Sequence, residues 1–194
     1  MQLITFATYE EAQGSLDLFK AKEIKRGFYA SDIGYIAITG IGPFAAFYSL
    51  QNINFDQIVN IGLAGSLRSD LILGSIHPVA SCQKHAWHPK GIDSSLASDF
   101  PTLILENKGL RLRTLDFPLY NGHDSLRNEC DLIDMEGYGV ALIAKTKQKP
   151  CKLYKLVSDY CNKESSLVIK NKIDEYSRKI ALYLKGENLC EPAY

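Results

Sequence analysis

The chain contains 194 residues, of which 46% are hydrophobic and 23% charged, a balance that excludes a disordered polypeptide. The 22 lysines and arginines equal the 22 aspartates and glutamates in number, so the chain lacks the basic excess that binds nucleic acid or an anionic membrane. This length suits one core, and we predict a single domain over residues 1–194.

The five cysteines form no Cys-x-x-Cys pair and no dense framework, which indicates reduced thiols and a cytoplasmic protein. The first residues combine no basic segment with a long apolar run, so we predict no signal peptide. No apolar stretch approaches the roughly 20 residues of a membrane-spanning helix, and we expect no membrane partner.

Short apolar runs alternate with segments of helical periodicity along the chain. In chain order, they predict a strand at 3–7, a helix at 10–21, strands at 27–30 and 35–39, a helix at 44–50, strands at 57–61, 73–81, 110–117 and 132–135, a helix at 137–147, a strand at 153–157 and a helix at 168–184. Residues 84–98 are predicted to form a loop. This alternation indicates an α/β layer fold whose mixed or parallel sheet is covered by helices.

Polar or glycine-rich residues stand at the ends of five predicted strands. They follow Ala7, Thr39, Ile61 and Val157, and the fifth strand ends at Met135 and Glu136. In open α/β sheets these ends meet at one edge, which is where ligands bind. We therefore expect the chemistry of the protein at this edge.

Met135 and Glu136 combine two kinds of contact that suit a sugar. The methionine offers a soft apolar face, and the glutamate can accept two hydrogen bonds from neighbouring hydroxyls. The alternative is an ordinary junction between strand and helix, with Glu136 in the first helical turn, where the helix dipole favours an anion.

Two glycine-bearing segments also follow strands. Residues 40–45 fit the dinucleotide pattern G-x-G-x-x-A, but the next strand ends without the acidic residue that holds the ribose of a dinucleotide. The segment is therefore interpreted as a tight turn or as a backbone wall beside a small ligand, with Ile41 at its centre. Residues 62–66 include Leu63, Ala64 and Gly65, which either form a packing turn or let a ligand approach the backbone.

Carboxylates follow two further strands. Glu10 and Glu11 can serve the first turn of a helix, or Glu11 can act as a general base beside water. Ser158 and Asp159 follow the strand at 153–157, where Asp159 can cap the next turn or, beside apolar neighbours, act as a general acid.

A metal site is a weaker hypothesis. Cys82, His85 and His88 are spaced three apart with His77 nearby, but this spacing does not match the usual zinc patterns, so we predict no metal.

His123 is interpreted as a surface residue. The aromatic residues Trp87, Tyr120 and Tyr138 are either stacking faces for a ligand or packing residues.

Five segments in chain order, residues 7–12, 39–42, 60–67, 134–137 and 156–159, together resemble motifs of the nucleoside phosphorylase/nucleosidase superfamily. They are most similar to its hydrolytic branch, the futalosine hydrolases and the methylthioadenosine/S-adenosylhomocysteine nucleosidases. The resemblance implies a three-layer αβα sandwich with a central mixed sheet. It also implies a purine nucleoside as the substrate, no cofactor and a homodimer.

The resemblance implies roles for individual residues. Glu11 would activate water, Asp159 would donate a proton to N7 of the purine, and Glu136 would hold the ribose hydroxyls. The other residues expected to contact the substrate are Ile41, Leu63, Ala64, Gly65, Met135 and Ser158. No arginine precedes residues 62–66, whereas the phosphorylases carry one there, and this favours water over phosphate as the nucleophile.

The departures from the family pattern bear on the substrate. Leu63 stands where the methylthioadenosine enzymes usually have serine, and residues 121–126 contain no aromatic side chain to stack on adenine. Residues 62–67 (GLAGSL) and the Ser-Asp-Tyr run at 158–160 resemble a futalosine hydrolase that releases hypoxanthine in menaquinone biosynthesis, although that branch often has asparagine in place of Asp159. A methylthioadenosine nucleosidase and a nucleoside-binding module without catalysis remain as alternatives. The sequence does not identify the 5′ substituent of the ribose.

Overall fold

The structure, a computed structural model, describes residues 1–86, 100–120 and 124–186. Its strands are β1 (Gln2–Phe6), β2 (Lys22–Lys25), β3 (Phe28–Ser31), β4 (Gly34–Ile38), β5 (Gln57–Ser66), β6 (Ile76–Lys84), β7 (Leu103–Ile104), β8 (Leu110–Thr114), β9 (Leu132–Asp134) and β10 (Cys151–Asp159). Its helices are α1 (Tyr9–Leu18), α2 (Pro43–Leu50), α3 (Asp124–Arg127), α4 (Gly137–Thr146) and α5 (Ser165–Gly186).

The strands form one mixed sheet. Strands β4, β1, β5 and β10 lie side by side in parallel, so their carboxyl ends meet at one edge. Strand β10 also pairs with β6 in the antiparallel direction, and β6, β8, β9 and β5 are hydrogen-bonded in succession. Because β10 contacts both β5 and β6, the sheet closes on itself at this end.

Helices cover both faces of the sheet and complete the predicted three layers. Helices α2 and α4 pack together on one face, over a cluster that includes Ala46, Leu50 and Val140. Helices α1 and α5 pack together on the other face, where Ala12, Tyr176 and Ile180 meet the sheet. The predicted α/β sandwich with a central mixed sheet is confirmed.

The first turns of α1 are fixed by a capping residue and by hydrogen bonds to α5. Thr8 caps the helix by accepting a hydrogen bond from the Glu11 amide at 3.3 Å. Ser177 of α5 accepts one from the Gly14 amide at 2.8 Å and donates one to the Glu11 carbonyl at 3.0 Å. The backbone of Glu11 is thereby fixed against the longest helix.

Several elements differ from the prediction, among them β5, β10 and β2. Strand β5 does not end at Ile61 but continues to Ser66, because its glycine-bearing half pairs with β10 on one side and β9 on the other. The interpretation of residues 62–66 as a tight turn is therefore wrong. Strand β10 likewise includes Ser158 and Asp159, and the exposed strand β2 was missed because all four of its side chains face solvent.

Residues 84–86 of the predicted loop are described, and residues 87–99 lie outside the described chain. Among the described helices, none combines the length and the apolar composition needed to cross a lipid bilayer.

The contact between α2 and α4 generates a stability prediction. A Cβ atom on Gly139 would collide with the carbonyl oxygen of Pro43, so Gly139→Ala must push the two helices apart. We expect this variant to lose about 1–3 kcal/mol of unfolding free energy in urea denaturation. The control is Gly186→Ala at the end of α5, where no atom lies within 4 Å of the added methyl group. Equal stability of the two variants would contradict the close packing of these helices.

Candidate active site

A cavity of about 460 Å³ lies where the carboxyl ends of β1, β4, β5 and β10 meet, a size usual for small-molecule sites. All nine residues predicted for the site line it: Glu11, Ile41, Leu63, Ala64, Gly65, Met135, Glu136, Ser158 and Asp159. The structure thus brings together side chains that are up to 148 positions apart, from Glu11 to Asp159.

Glu136 is the N-cap residue of α4, but its side chain does not cap that helix. One of its carboxylate oxygens, Oε1, instead accepts a hydrogen bond at 2.9 Å from the amide of Gly42, in the turn after β4. The helix is capped by Asp134, whose Oδ2 accepts from the Gly137 amide at 2.7 Å. The capping interpretation therefore applies to Asp134, and Glu136 is left to face the cavity.

A buried lysine, which the sequence analysis missed, connects the strands beneath the cavity. The Nζ atom of Lys155 on β10 lies 2.8 Å from Oδ2 of Asp134 and 2.7 Å from Oδ1 of Asn60. Asn60 in turn donates to the carbonyl oxygen of Thr5 at 3.2 Å, and Thr114 donates to Oδ1 of Asp134 at 2.6 Å. The signal that was available is a lysine in the middle of an apolar strand, Leu153–Val157.

The position of Gly62 on β5 leaves no room for a side chain unless Glu11 moves. A Cβ atom there would lie 2.6 Å from Oε2 of Glu11 and 3.9 Å from Nζ of Lys155. The glutamate and the lysine thus share the space above one residue of the sheet, and any larger side chain would displace the glutamate. Gly62 therefore allows Glu11 to approach the backbone of β5, whereas the sequence analysis had offered a role in a turn.

The crowding of carboxylates changes their affinity for protons. Burial raises the pKa of Glu11 to about 8, and the nearby charges of Glu136 and Asp134 add to this, while Lys155 and the Leu63 amide oppose it. Burial, together with the charge of Asp134, also raises the pKa of Glu136 to about 7. Both groups therefore exchange protons near neutral pH, as a general base in water should.

Lys155 stays charged despite its position. Burial favours the neutral amine, but the charges of Asp134 and Glu136 outweigh this effect and raise the pKa of Lys155 above its usual value. The lysine is thus a fixed positive charge among three carboxylates, those of Asp134, Glu136 and Glu11.

Asp159 lines the same cavity and is held by its neighbours. Its Oδ2 accepts a hydrogen bond from Ser158 at 2.6 Å, and its Oδ1 accepts one from the Cys161 amide at 2.7 Å. Gly65 is required here, since a Cβ atom would meet Cys161 Sγ and lie 3.2 Å from Oδ1 of Asp159. The contact with Cys161 is the predicted local cap, and the same carboxyl group also lines the cavity.

One of the three aromatic residues singled out in the sequence lies at the site, and the structure adds one wall. Tyr120 lines the cavity, in agreement with a stacking face for a ligand. Residues 121–123, and with them His123, lie outside the described chain. The wall comes from α5, which contributes Ser165, Ile169, Lys170 and Ile173.

The described residues of the metal hypothesis do not line the cavity. Cys82 is 1% exposed within the apolar core on the α2–α4 side of the sheet, which supports a packing role. His85 follows β6 directly, and His88 and Trp87 lie outside the described residues.

Comparison with solved structures identifies the fold. The chain matches futalosine hydrolase of Helicobacter pylori with a TM-score of 0.78 at 18% identity, covering 95% of both chains. It matches the methylthioadenosine/S-adenosylhomocysteine nucleosidase of the same organism, complexed with a substituted pyrrolidinol, with a TM-score of 0.77 at 16% identity and 95% of both chains. It matches the Chlamydia trachomatis nucleosidase bound to methylthioadenosine with a TM-score of 0.70 at 24% identity and 93% of both chains.

These likenesses establish that the chain has the fold of the nucleosidases, as the motif resemblance implied. Comparison with protein-family models and with curated protein sequences found no match.

The buried ion pair generates a prediction about stability. Lys155→Met leaves Asp134 buried without its cation, and we expect a loss of about 3–5 kcal/mol of unfolding free energy. The double variant Lys155→Met/Asp134→Asn removes both charges and should recover much of this loss in a double-mutant cycle measured by urea denaturation. Additive losses in the double variant would show that the two charges do not interact.

Proposed function

We propose that this chain is a purine nucleoside N-ribosyl hydrolase. The observation that carries the proposal is the placement of three carboxyl groups, those of Glu11, Glu136 and Asp159, around one nucleoside-sized cavity. Breaking an N-glycosidic bond builds positive charge on the ribose and negative charge on the base, so an enzyme must stabilise both. A binding module needs a group for the ribose hydroxyls but neither an acid nor a base.

Asp159 is proposed as the general acid. In its protonated form it would donate to N7 of the purine and neutralise the charge that develops on the leaving base. The hydrogen bond from Ser158 holds one oxygen of this carboxyl group, so the group is oriented before the substrate arrives. Tyr120, on the cavity wall, offers a face on which the base can stack.

The ribose is proposed to lie between the two ends of the cavity. Glu136, fixed by the Gly42 amide, would accept hydrogen bonds from the 2′- and 3′-hydroxyls, and Met135 would pack on the sugar. Glu11 would take a proton from the water that attacks C1′, for which a pKa of about 8 makes it an effective base.

Several observations support water over phosphate as the nucleophile. The charged residues that line the cavity are acidic apart from Lys170 on α5, and the nearby cation Lys155 is already paired with Asp134. A phosphate dianion would meet uncompensated negative charge in this site, which is costly in a buried environment.

The proposed substrate is futalosine, with release of hypoxanthine in menaquinone biosynthesis. The support is Leu63 in place of the serine usual in the methylthioadenosine enzymes. Methylthioadenosine/S-adenosylhomocysteine nucleosidase is the second candidate, and it is favoured by the retained Asp159. The TM-scores of 0.77 and 0.78 do not separate the two enzymes.

A homodimer belongs to the same proposal. Ile41 on the cavity and Phe44 and Tyr48 on α2 are 61%, 79% and 79% exposed, which gives an apolar surface continuous with the site. A cytoplasmic location is proposed from the sequence alone, from its cysteines without a disulfide framework.

The experiment that tests the activity is incubation with futalosine, methylthioadenosine, S-adenosylhomocysteine and inosine, each with and without phosphate. Free base is measured by chromatography. We expect hypoxanthine from futalosine in the absence of phosphate. Adenine from methylthioadenosine would favour the second candidate, release that requires phosphate would contradict hydrolysis, and no release from any substrate would favour a binding module.

The acidic limb of the pH profile tests the role of Glu11. A carboxyl group with a pKa of about 8 is protonated below that pH and cannot accept a proton from water. We therefore expect the ascending limb of the kcat/KM profile to extend to about pH 8. Glu11→Gln should lower the rate about 10²–10⁴-fold and abolish this limb.

The control for this profile is Glu164→Gln, which changes an exposed carboxylate outside the cavity and should keep both the rate and the limb. An unchanged pH profile in Glu11→Gln would assign the base to another group.

A further inference from the structure

Strand β10 contains a bulge near its carboxyl end. Its pairing with β5 changes register there, since Val157 lies opposite Ala64 and Asp159 lies opposite Gly65. Ser158 is therefore the extra residue, because two steps along β10 match one step along β5. A bulge of this kind redirects the side chains beside it and interrupts the ladder of hydrogen bonds at the extra residue.

The bulge accounts for the contact between Ser158 and Asp159. In a regular strand, the side chains of neighbouring residues point to opposite faces of the sheet. The hydroxyl of Ser158 nevertheless donates to Oδ2 of Asp159 at 2.6 Å, and both residues line the cavity. The orientation of the proposed acid therefore depends on the bulge.

A tyrosine on α5 holds this bulge. The hydroxyl of Tyr176 donates to the carbonyl oxygen of Ser158 at 3.0 Å, and the two residues are 0% and 1% exposed. A buried carbonyl group needs a donor, and at a bulge the ladder does not reliably supply one. Tyr176 belongs to the same apolar cluster as Leu156 and Ile180, which fixes its ring between α5 and the sheet.

We propose that Tyr176 is a positioning residue of the active site, which holds the bulge at Ser158 and thereby aims the Asp159 carboxyl group at the leaving base. Tyr176 does not line the cavity, so it acts through β10 and not by contact with a ligand. The effect on catalysis rests on the proposed function, whereas the effect on the bulge does not. Loss of the hydroxyl should impair protonation of the base selectively, because Glu136 is held by a different contact, with the Gly42 amide.

The kinetic test compares two leaving groups in Tyr176→Phe. One substrate is the purine nucleoside that the unmodified protein hydrolyses fastest, whose base needs a proton to leave. The other is para-nitrophenyl β-riboside, whose phenolate leaves without a proton. We expect kcat for the nucleoside to fall about 10–100-fold with little change in KM, because a general acid acts in the transition state. The kcat for the nitrophenyl riboside should stay within about twofold, since no acid is needed.

The matched control is Ile180→Val, which removes a buried methyl group one turn further along the same face of α5. This variant should slow neither substrate. Equal losses with both substrates in Tyr176→Phe would indicate general damage to the site and would overturn the proposal. The same selective loss in Ile180→Val would also overturn it, because the effect would then not depend on the hydroxyl.

A spectroscopic measurement tests the positioning without turnover. The Cys161 amide donates to Oδ1 of Asp159 at 2.7 Å, so its proton resonance reports on the position of this carboxyl group. The chain has five cysteines, so labelling them with ¹⁵N gives five amide signals, and Cys161→Ser identifies the relevant one. We expect an upfield shift of this signal in Tyr176→Phe, with the other four signals in place, and no shift in Ile180→Val.

The two measurements separate this inference from the proposed activity. If the unmodified protein hydrolyses neither compound but the Cys161 signal moves in Tyr176→Phe, the proposed function fails and the positioning of Asp159 by Tyr176 stands. The same signal decides the matter if the nitrophenyl riboside is not a substrate. If the Cys161 signal does not move, the hydroxyl does not hold the bulge and the inference is overturned.

Discussion

The ion pair between Lys155 and Asp134 is the interaction on which the site depends. It joins β10 to β9 at 2.8 Å in a fully buried position, and through Asn60 it reaches β5 and β1 as well. Asp134 also holds the first amide of α4. One charged contact thus fixes the strand ends beneath the site and the start of α4, where Glu136 lies.

The same cluster sets the proton affinities that the proposed chemistry uses. Three carboxyl groups share one lysine, so burial and mutual repulsion raise the pKa of Glu11 and Glu136 toward neutrality. A raised pKa means that the folded protein binds these protons more tightly than the unfolded chain does, and the stability from this source falls as pH rises from about 4.5 to about 8. The raised pKa values of Glu11 and Glu136 therefore lower the free energy of unfolding at alkaline pH.

The sequence was sufficient for the alternation of strands and helices and for the nine residues around the cavity, because polar groups at strand ends converge in any sheet of this kind. It was not sufficient for Lys155, since a lysine in an apolar strand has no local partner and its ion pair forms across 21 residues with Asp134. The role of Gly62 was also hidden, because the contact that demands glycine comes from Glu11 on another element. The α5 residues that line the cavity could not be predicted, because their position depends on how α5 packs against α1.

A crystal structure of Glu11→Gln with an intact purine nucleoside would test the central claim most directly. That claim is that the cavity holds the base at Asp159 and the ribose at Glu136. The account predicts N7 of the purine within hydrogen-bond distance of Asp159 and the 2′- and 3′-hydroxyls on Glu136. A nucleoside bound in the reverse direction, or outside this cavity, would contradict it.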